Sequence, residues 1–189
     1  MKVLVIDNYD SFTYNLVHIL RELGLDANMD IVRNDAVDLK KIAAYDKILL
    51  SPGPGLPKDA GMMMEVINQF SADKSILGVC LGHQGIAEIF GARLYNMKEV
   101  LHGIAKTVAH DQQDPLFSNI PSDFRACRYH SWSVDPASVN GELKIIARDE
   151  QGEVMAIKHN THCVRGVQFH PESILTEYGI KMMENWVKI

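Results

Sequence analysis

Cysteine is scarce in this chain of 189 residues: Cys80, Cys127 and Cys163 each stand alone. An odd number of scattered thiols argues against a disulfide framework and for reduced cysteines. No apolar run approaches the ~18 residues of a membrane span, and the first one, Val3 to Ile6, is broken at once by Asp7, too short for a signal-peptide core. Basic clusters are missing as well. With a net charge of −5 and a pI near 5.9, the chain offers no footprint for nucleic acid or an anionic membrane. No Pro/Ser-rich linker, low-complexity stretch or internal repeat divides it, so residues 1–189 read as a single domain, whose 47% hydrophobic content can build a core. A soluble, cytoplasmic protein is the expectation.

What is present centres on Ser75 to Phe90. The β-prone run Ile76 to Val79 stops at Cys80, and a helical pattern begins within two or three residues, with Ile86, Ile89 and Phe90 apolar. Gly78 and Gly82 flank the cysteine at two residues on either side, giving the G-x-C-x-G form of a nucleophile elbow. Such a thiol stands at a helix N-terminus, which favours thiolate, and the backbone N–H of Leu81 would point at an oxyanion formed on an attacked carbonyl. A lone cysteine in an apolar strand can equally be a small buried hydrophobe, so a partner base is needed. Metal binding through Cys80 and His83 lacks a second ligand pair at suitable spacing.

The remaining pattern is that of an α/β protein. Lys2–Ile6, Asp30–Arg33 and Lys47–Leu50 read as strands that alternate with amphipathic helices, the first helix stopped by Gly24, and another helix is expected at Met62–Phe70. The loop Asp7-Asn8-Tyr9-Asp10-Ser11 holds no glycine, which excludes a dinucleotide-binding G-x-G-x-x-G; Asp10 or Ser11 can cap the helix that follows. Beyond the elbow helix, short strands at 93–95, 104–109, 124–129, 143–148 and 154–159, with hairpin-type turns at Asn140-Gly141 and Gln151-Gly152, predict antiparallel strands beside the parallel ones. The fold expected is a mixed, mostly parallel central sheet flanked by helices, with an additional small antiparallel sheet. A last helix is expected over about Leu175–Val187, burying Tyr178, Met182 and Trp186.

Two further stretches carry candidate chemistry. Ser51-Pro52-Gly53-Pro54-Gly55 ends the third strand in a rigid turn whose Gly55 amide can approach a ligand, or is merely a tight loop. The strand Val164–Phe169 ends in His170-Pro171-Glu172: a histidine that can serve a thiol as base, and a carboxylate that can hold its other ring nitrogen. Glu172 can also be an acid favoured near a helix N-terminus, and His170 a strand-end residue.

Taken together, V-I-D-N-Y-D-S-F-T-Y-N-L (5–16), S-P-G-P-G (51–55), G-V-C-L-G-H-Q (78–84), R-Y-H-S (128–131) and G-V-Q-F-H-P-E-S-I-L-T (166–176) resemble the class I, or triad, glutamine amidotransferases over nearly the whole chain. Within that class the opening and closing motifs are similar to the amidotransferase subunits of anthranilate synthase and of aminodeoxychorismate synthase. The resemblance implies Cys80 as nucleophile, His170 as general base and acid, and Glu172 as the residue orienting it. It implies an oxyanion hole from the amides of Gly55 and Leu81, and glutamine binding by Gly53, Pro54, Gly55, Gln84, Ser131 and Trp132. It implies no metal and no cofactor in this chain, with Mg²⁺ and chorismate on a partner synthase, component I, that receives the ammonia. Two positions depart from the family pattern: Ile104 stands where H-G-K is common, and Trp132 where leucine usually follows R-Y-H-S. Left open are a cysteine hydrolase on a similar scaffold and a catalytically silent binding subunit.

Overall fold

The computed structural model describes residues 1–97 and 103–189. Its first strand, β1 (Val3–Asp7), shows how a continuous apolar run serves two faces. Val3 and Val5 join one core cluster while Leu4 and Ile6 join the other, because successive side chains of a strand point to opposite sides. After β1 comes α1 (Thr13–Glu22), and β2 (Met29–Arg33) and β3 (Lys47–Leu50) then pair in parallel on either side of β1. From β3 the chain runs through α2 (Met63–Phe70) to β4 (Ser75–Val79), parallel to β3, and turns at once into α3 (Leu81–Ile89).

The chain then makes a long excursion: β5 (Leu94–Asn96), β6 (Ile104–His110), β7 (Asp123–Arg128), β8 (Trp132–Val134), β9 (Leu143–Asp149) and β10 (Val154–His159). It returns with β11 (Val164–Val167), parallel to β4, and ends in α4 (Gly179–Lys188). Among the described residues the main sheet has the order β2-β1-β3-β4-β11-β10-β9-β6-β7, parallel from β2 to β11 and antiparallel beyond, while β5 and β8 form a separate antiparallel pair. A mixed sheet with a small antiparallel companion is the expected fold, although β8, one half of that companion, has no counterpart in the strand pattern.

Helices α1 and α4 cover one face and α2 and α3 the other. On the first, Leu16, Leu20, Met182, Met183 and Trp186 are buried; burying a side chain such as either methionine contributes about 1.5–3 kcal/mol. Lys47, at the start of β3, is buried with them. Its Nζ donates to the Trp186 carbonyl at 3.1 Å and to Ser75 Oγ at 3.2 Å, placing a cation on the open carbonyls of the last turn of α4.

Three local expectations are corrected. The last helix starts at Gly179 rather than near Leu175, because residues 171–178 form successive turns, and Tyr178 is 45% exposed in a left-handed conformation instead of buried. Asn140-Gly141 is not a hairpin turn, since the strands it lies between, β8 and β9, belong to different sheets; Gln151-Gly152 does join the antiparallel pair β9 and β10. Neither Asp10 nor Ser11 is the capping residue of α1, although Asp10 Oδ1 accepts from the Phe12 amide at 2.7 Å just before it. His102 of the His102-Gly103-Ile104 segment lies outside the described residues.

The excursion is anchored by an ion pair. Arg128, the last residue of β7, and Asp149, the last of β9, are joined through Nη1 and Oδ2 with both side chains fully buried. Asp149 Oδ1 accepts from the amides of Gln151 and Glu153 as well, closing the β9–β10 turn. Removing one member of a buried pair leaves the other charge uncompensated, so Asp149→Ala should cost about 3–5 kcal/mol in urea unfolding; a loss under about 1 kcal/mol would refute this anchoring role. A second expectation concerns His83 of α3, whose ring is fully buried against Gly166 of β11. Burial pushes its pKa from 6.5 down to about 4. Between those values the unfolded chain holds a proton that the folded chain does not, so stability falls as the pH drops through that window, by on the order of 3 kcal/mol in all. Urea unfolding at pH 7 and pH 4.5 should therefore give a smaller difference for His83→Met than for the wild type, and equal differences would remove His83 from the acid sensitivity.

Candidate active site

The nucleophile candidate sits where β4 becomes α3 with no residue to spare. Cys80 adopts φ 50° and ψ −97°, a conformation that costs a non-glycine residue on the order of 1–3 kcal/mol and is held only by its surroundings. Those surroundings are specific. The Cys80 amide donates to the Val167 carbonyl of β11 at 2.9 Å, and the Cys80 carbonyl accepts from the Gln84 amide at 3.0 Å as the first bond of the helix. The flanking glycines answer to close packing: a Cβ on Gly78 would overlap Gly82 and lie 2.6 Å from the His83 amide nitrogen, and one on Gly82 would lie 2.6 Å from Leu50 Cβ. Cys80 is thus presented at the helix N-terminus, with the Leu81 amide next in line.

The base candidate arrives on the neighbouring strand. His170 follows β11, and its Nδ1 donates to Glu172 Oε1 at 2.7 Å across the rigid Pro171. Both side chains are buried. The rings of Tyr129 and Phe12 meet the imidazole edge-on, at centroid distances of 5.1 and 5.7 Å, and fix its plane. Burial alone would lower the His170 pKa, but the Cys80 sulfur and the Glu172 carboxylate, by hydrogen bonding and by charge, raise it to about 10. The ring is therefore held cationic at neutral pH. His130 behaves oppositely: burial, together with the positive charge of Arg128 and the neighbouring histidines, lowers its pKa to about 3 and keeps it neutral.

A cleft of about 180 Å³ opens over the sulfur, lined by Gly53, Pro54, Gly55, Cys80, Gln84, Tyr129, His130, Ser131 and Trp132. Every residue that the sequence suggested for substrate contact lies on it, and Leu81, although outside the lining, packs its side chain under the turn at Gly53. The turn is braced from below by Asn8, whose amide donates to Ser51 Oγ and whose Nδ2 donates to the Ser51 carbonyl, both at 2.8 Å. Gln84 Nε2 donates to the Trp132 carbonyl at 2.9 Å, tying α3 to the 129–132 loop. A larger groove of about 700 Å³ between α1 and α4 touches Glu172 but does not reach the thiol; the smaller cleft does, and His170 lines neither of the two. Sequence reasoning passed over Tyr129, His130, Phe12 and Gln168. Of these only Gln168 carried a usable signal, a polar residue between Val167 and Phe169 two positions before His170.

One contact fixes the position of the His170-Pro171-Glu172 segment from behind. A Cβ on Gly179 would overlap the Pro171 carbonyl oxygen and lie 2.7 Å from its carbon, so α4 seats directly against that peptide. Gly179→Ala should cost on the order of 1–3 kcal/mol through overpacking and displace the 170–172 segment. Thermal unfolding together with the aromatic-region NMR shifts of His170 checks this, and an unchanged melting temperature would refute the contact.

Residues 4–189 match the family model described as glutamine amidotransferase class-I. Among curated proteins the chain is 43% identical to anthranilate synthase component 2 of Pyropia yezoensis over 98% of both chains. It is 41% identical to aminodeoxychorismate/anthranilate synthase component 2 of Bacillus subtilis, covering 98% of this chain and 95% of that one. With the bifunctional protein TrpGD of Thermotoga maritima it shares 42% identity over 100% of its own length but only 32% of that protein. Among solved structures, one described as a GMP synthase subunit of Thermoplasma acidophilum superposes with a TM-score of 0.87 at 27% identity, covering 100% of this chain and 92% of that one. Sequence and fold agree, and the chain belongs to the class-I glutamine amidotransferase family.

Proposed function

We propose that the chain hydrolyses L-glutamine through a thioester on Cys80 and hands the ammonia to a chorismate-using synthase subunit that makes anthranilate. The observation that carries this reading is that Cys80, on a cleft lined by Gly53, Pro54, Gly55, Gln84, Ser131 and Trp132, neighbours His170, which Glu172 holds in turn. The Cys80 thiolate attacks the side-chain carbonyl carbon of glutamine, and the amides of Gly55 and Leu81 receive the oxyanion. Collapse of that intermediate breaks the C–N bond as the His170 imidazolium gives its proton to the leaving nitrogen. Ammonia departs, and a γ-glutamyl thioester remains. Neutral His170 then takes a proton from water, which attacks the thioester, and glutamate leaves with the Cys80 thiolate restored. Glu172 holds Nδ1 through both steps, so Nε2 is the nitrogen that exchanges the proton.

A receiving partner is supported by the exposed surface. Tyr9, Tyr14, Ile174, Leu175, Tyr178 and Ile180 are large apolar side chains left exposed, Ile174 at 99%, and several lie on the 170–180 segment that carries the base. Apolar exposure of that kind marks an interaction surface. The names of the relatives support component I of anthranilate synthase as partner, with Mg²⁺ and chorismate held there. They equally favour a second reading, component I of aminodeoxychorismate synthase, since the Bacillus subtilis relative carries both names and a 43% identical protein of Klebsiella aerogenes is named aminodeoxychorismate synthase component 2. The proposed reaction needs no cofactor in this chain, and the proposed setting is the cytoplasm. Among the described residues no helix is long and apolar enough to cross a membrane.

The test is glutamate release from L-glutamine by wild type and by Cys80→Ser, each alone and with either component I plus chorismate. Wild type should yield anthranilate with its synthase, and Cys80→Ser should lose glutaminase activity by at least about 1,000-fold while still supporting synthesis from added ammonium. Glutamate without anthranilate, but with aminodeoxychorismate, selects the second reading. Undiminished hydrolysis by Cys80→Ser would overturn the assignment of the nucleophile.

A further inference from the structure

The thiol of Cys80 has a second neighbour besides His170. Gln168, wholly buried on the segment that leads from β11 to His170, places Nε2 3.5 Å from Cys80 Sγ. Its backbone is fixed, since its amide donates to the Met155 carbonyl of β10 at 2.8 Å. Its side-chain Oε1 in turn accepts from Gln84 Nε2 at 3.2 Å, and Gln84 Nε2 also donates to the Trp132 carbonyl at 2.9 Å. The sense of this relay is set at its far end. A backbone carbonyl can only accept, so Gln84 must turn its NH₂ group toward Trp132; Gln168 must then turn its oxygen toward Gln84, which leaves its NH₂ group facing the sulfur. His170 Nε2, by contrast, meets no partner at full hydrogen-bond geometry among the described residues.

We infer that Gln168 is a positioning residue for the nucleophile: its amide is a fixed hydrogen-bond donor to the Cys80 sulfur, and Gln84 holds it in that role from the wall of the substrate cleft. This rests on the reading of Cys80 as nucleophile. A donor is a better partner for the anionic thiolate than for the neutral thiol, because hydrogen bonds to an ionised acceptor are about twice as strong. Gln168 therefore stabilises the reactive form and fixes the direction of its attack, and the relay links the wall of the cleft to the sulfur through two amides.

The test is carboxamidomethylation of Cys80 by iodoacetamide as a function of pH, read by peptide mass spectrometry so that Cys127 and Cys163 are scored apart. The variants are Gln168→Met, which keeps the length and removes the donor, and Gln168→Glu, which puts an acceptor against the sulfur. The titratable groups around the thiol are His170, with Glu172 behind it, and His130 in the cleft; all are present in every form compared, so the difference reports on position 168. The midpoint of alkylation should rise by about one pH unit in Gln168→Met and by more in Gln168→Glu. With glutamine, kcat should fall about 10-fold for Gln168→Met while KM stays within about 3-fold. Folded variants with an unshifted midpoint would overturn the inference, and so would loss of the folded state in both, which would make Gln168 a packing residue. Alkylation needs neither glutamine nor a synthase, so a chain that shows the shift but hydrolyses no glutamine refutes the proposed function and leaves this inference standing.

Discussion

The site depends on the parallel register between β4 and β11. Gly78 lies opposite Gly166 and Val79 opposite Val167, so the two strands leave the sheet side by side and at the same level. The next residue after one strand is Cys80; the next after the other is Gln168, followed two residues later by His170. A slip by one residue would turn every side chain of β11 to the opposite face and carry the imidazole away from the thiol. The same pairing supplies the Val167 carbonyl that holds the Cys80 amide, and so helps to keep the cysteine in a conformation that it would not adopt alone. Register and strain are thus two aspects of one contact.

The excursion between the two strands serves this arrangement from the other side. β6, β7, β9 and β10 extend the sheet antiparallel, and the Arg128–Asp149 pair fixes the end of β7, from which the 129–132 loop springs. That loop supplies Tyr129 to the wall of His170, Ser131 and Trp132 to the cleft, and the Trp132 carbonyl to Gln84. The cleft is therefore built from three separate segments, 53–55, 80–84 and 129–132. Ligand need not organise it, which suits a reaction that depends on preset oxyanion donors.

How much was legible in the sequence follows from the range of each interaction. The elbow around Cys80 and the His170-Pro171-Glu172 unit are local, and strand, turn and helix signals within ten residues mark them. That the two units meet is a matter of strand order, Gln168 lying 88 positions after Cys80, and only the family resemblance supplied it in advance. Local patterns also misled. Asn140-Gly141 has hairpin chemistry, yet its flanking strands pair with others, and Tyr178 has helical spacing from Met182 but sits ahead of a helix that the Pro171–Gly179 contact starts late. Gln168 was legible as an oddity, a polar side chain in an apolar strand, but its meaning lies in Cys80 and Gln84, which no periodicity connects to it.

The seat of Gly179 under Pro171 sets a limit on how the site can be lost. Proteins open in cooperative pieces, and one helix can be released while the rest stays folded. When α4 lifts away, the buried faces of Met182, Met183 and Trp186 leave with it, and the Pro171 carbonyl loses the surface against which it rests. The histidine and its carboxylate are then freed while β4, α3 and the thiol between them remain folded. The free energy for opening this one helix, which can be lower than that of global unfolding, accordingly sets the fraction of molecules in which the triad is assembled.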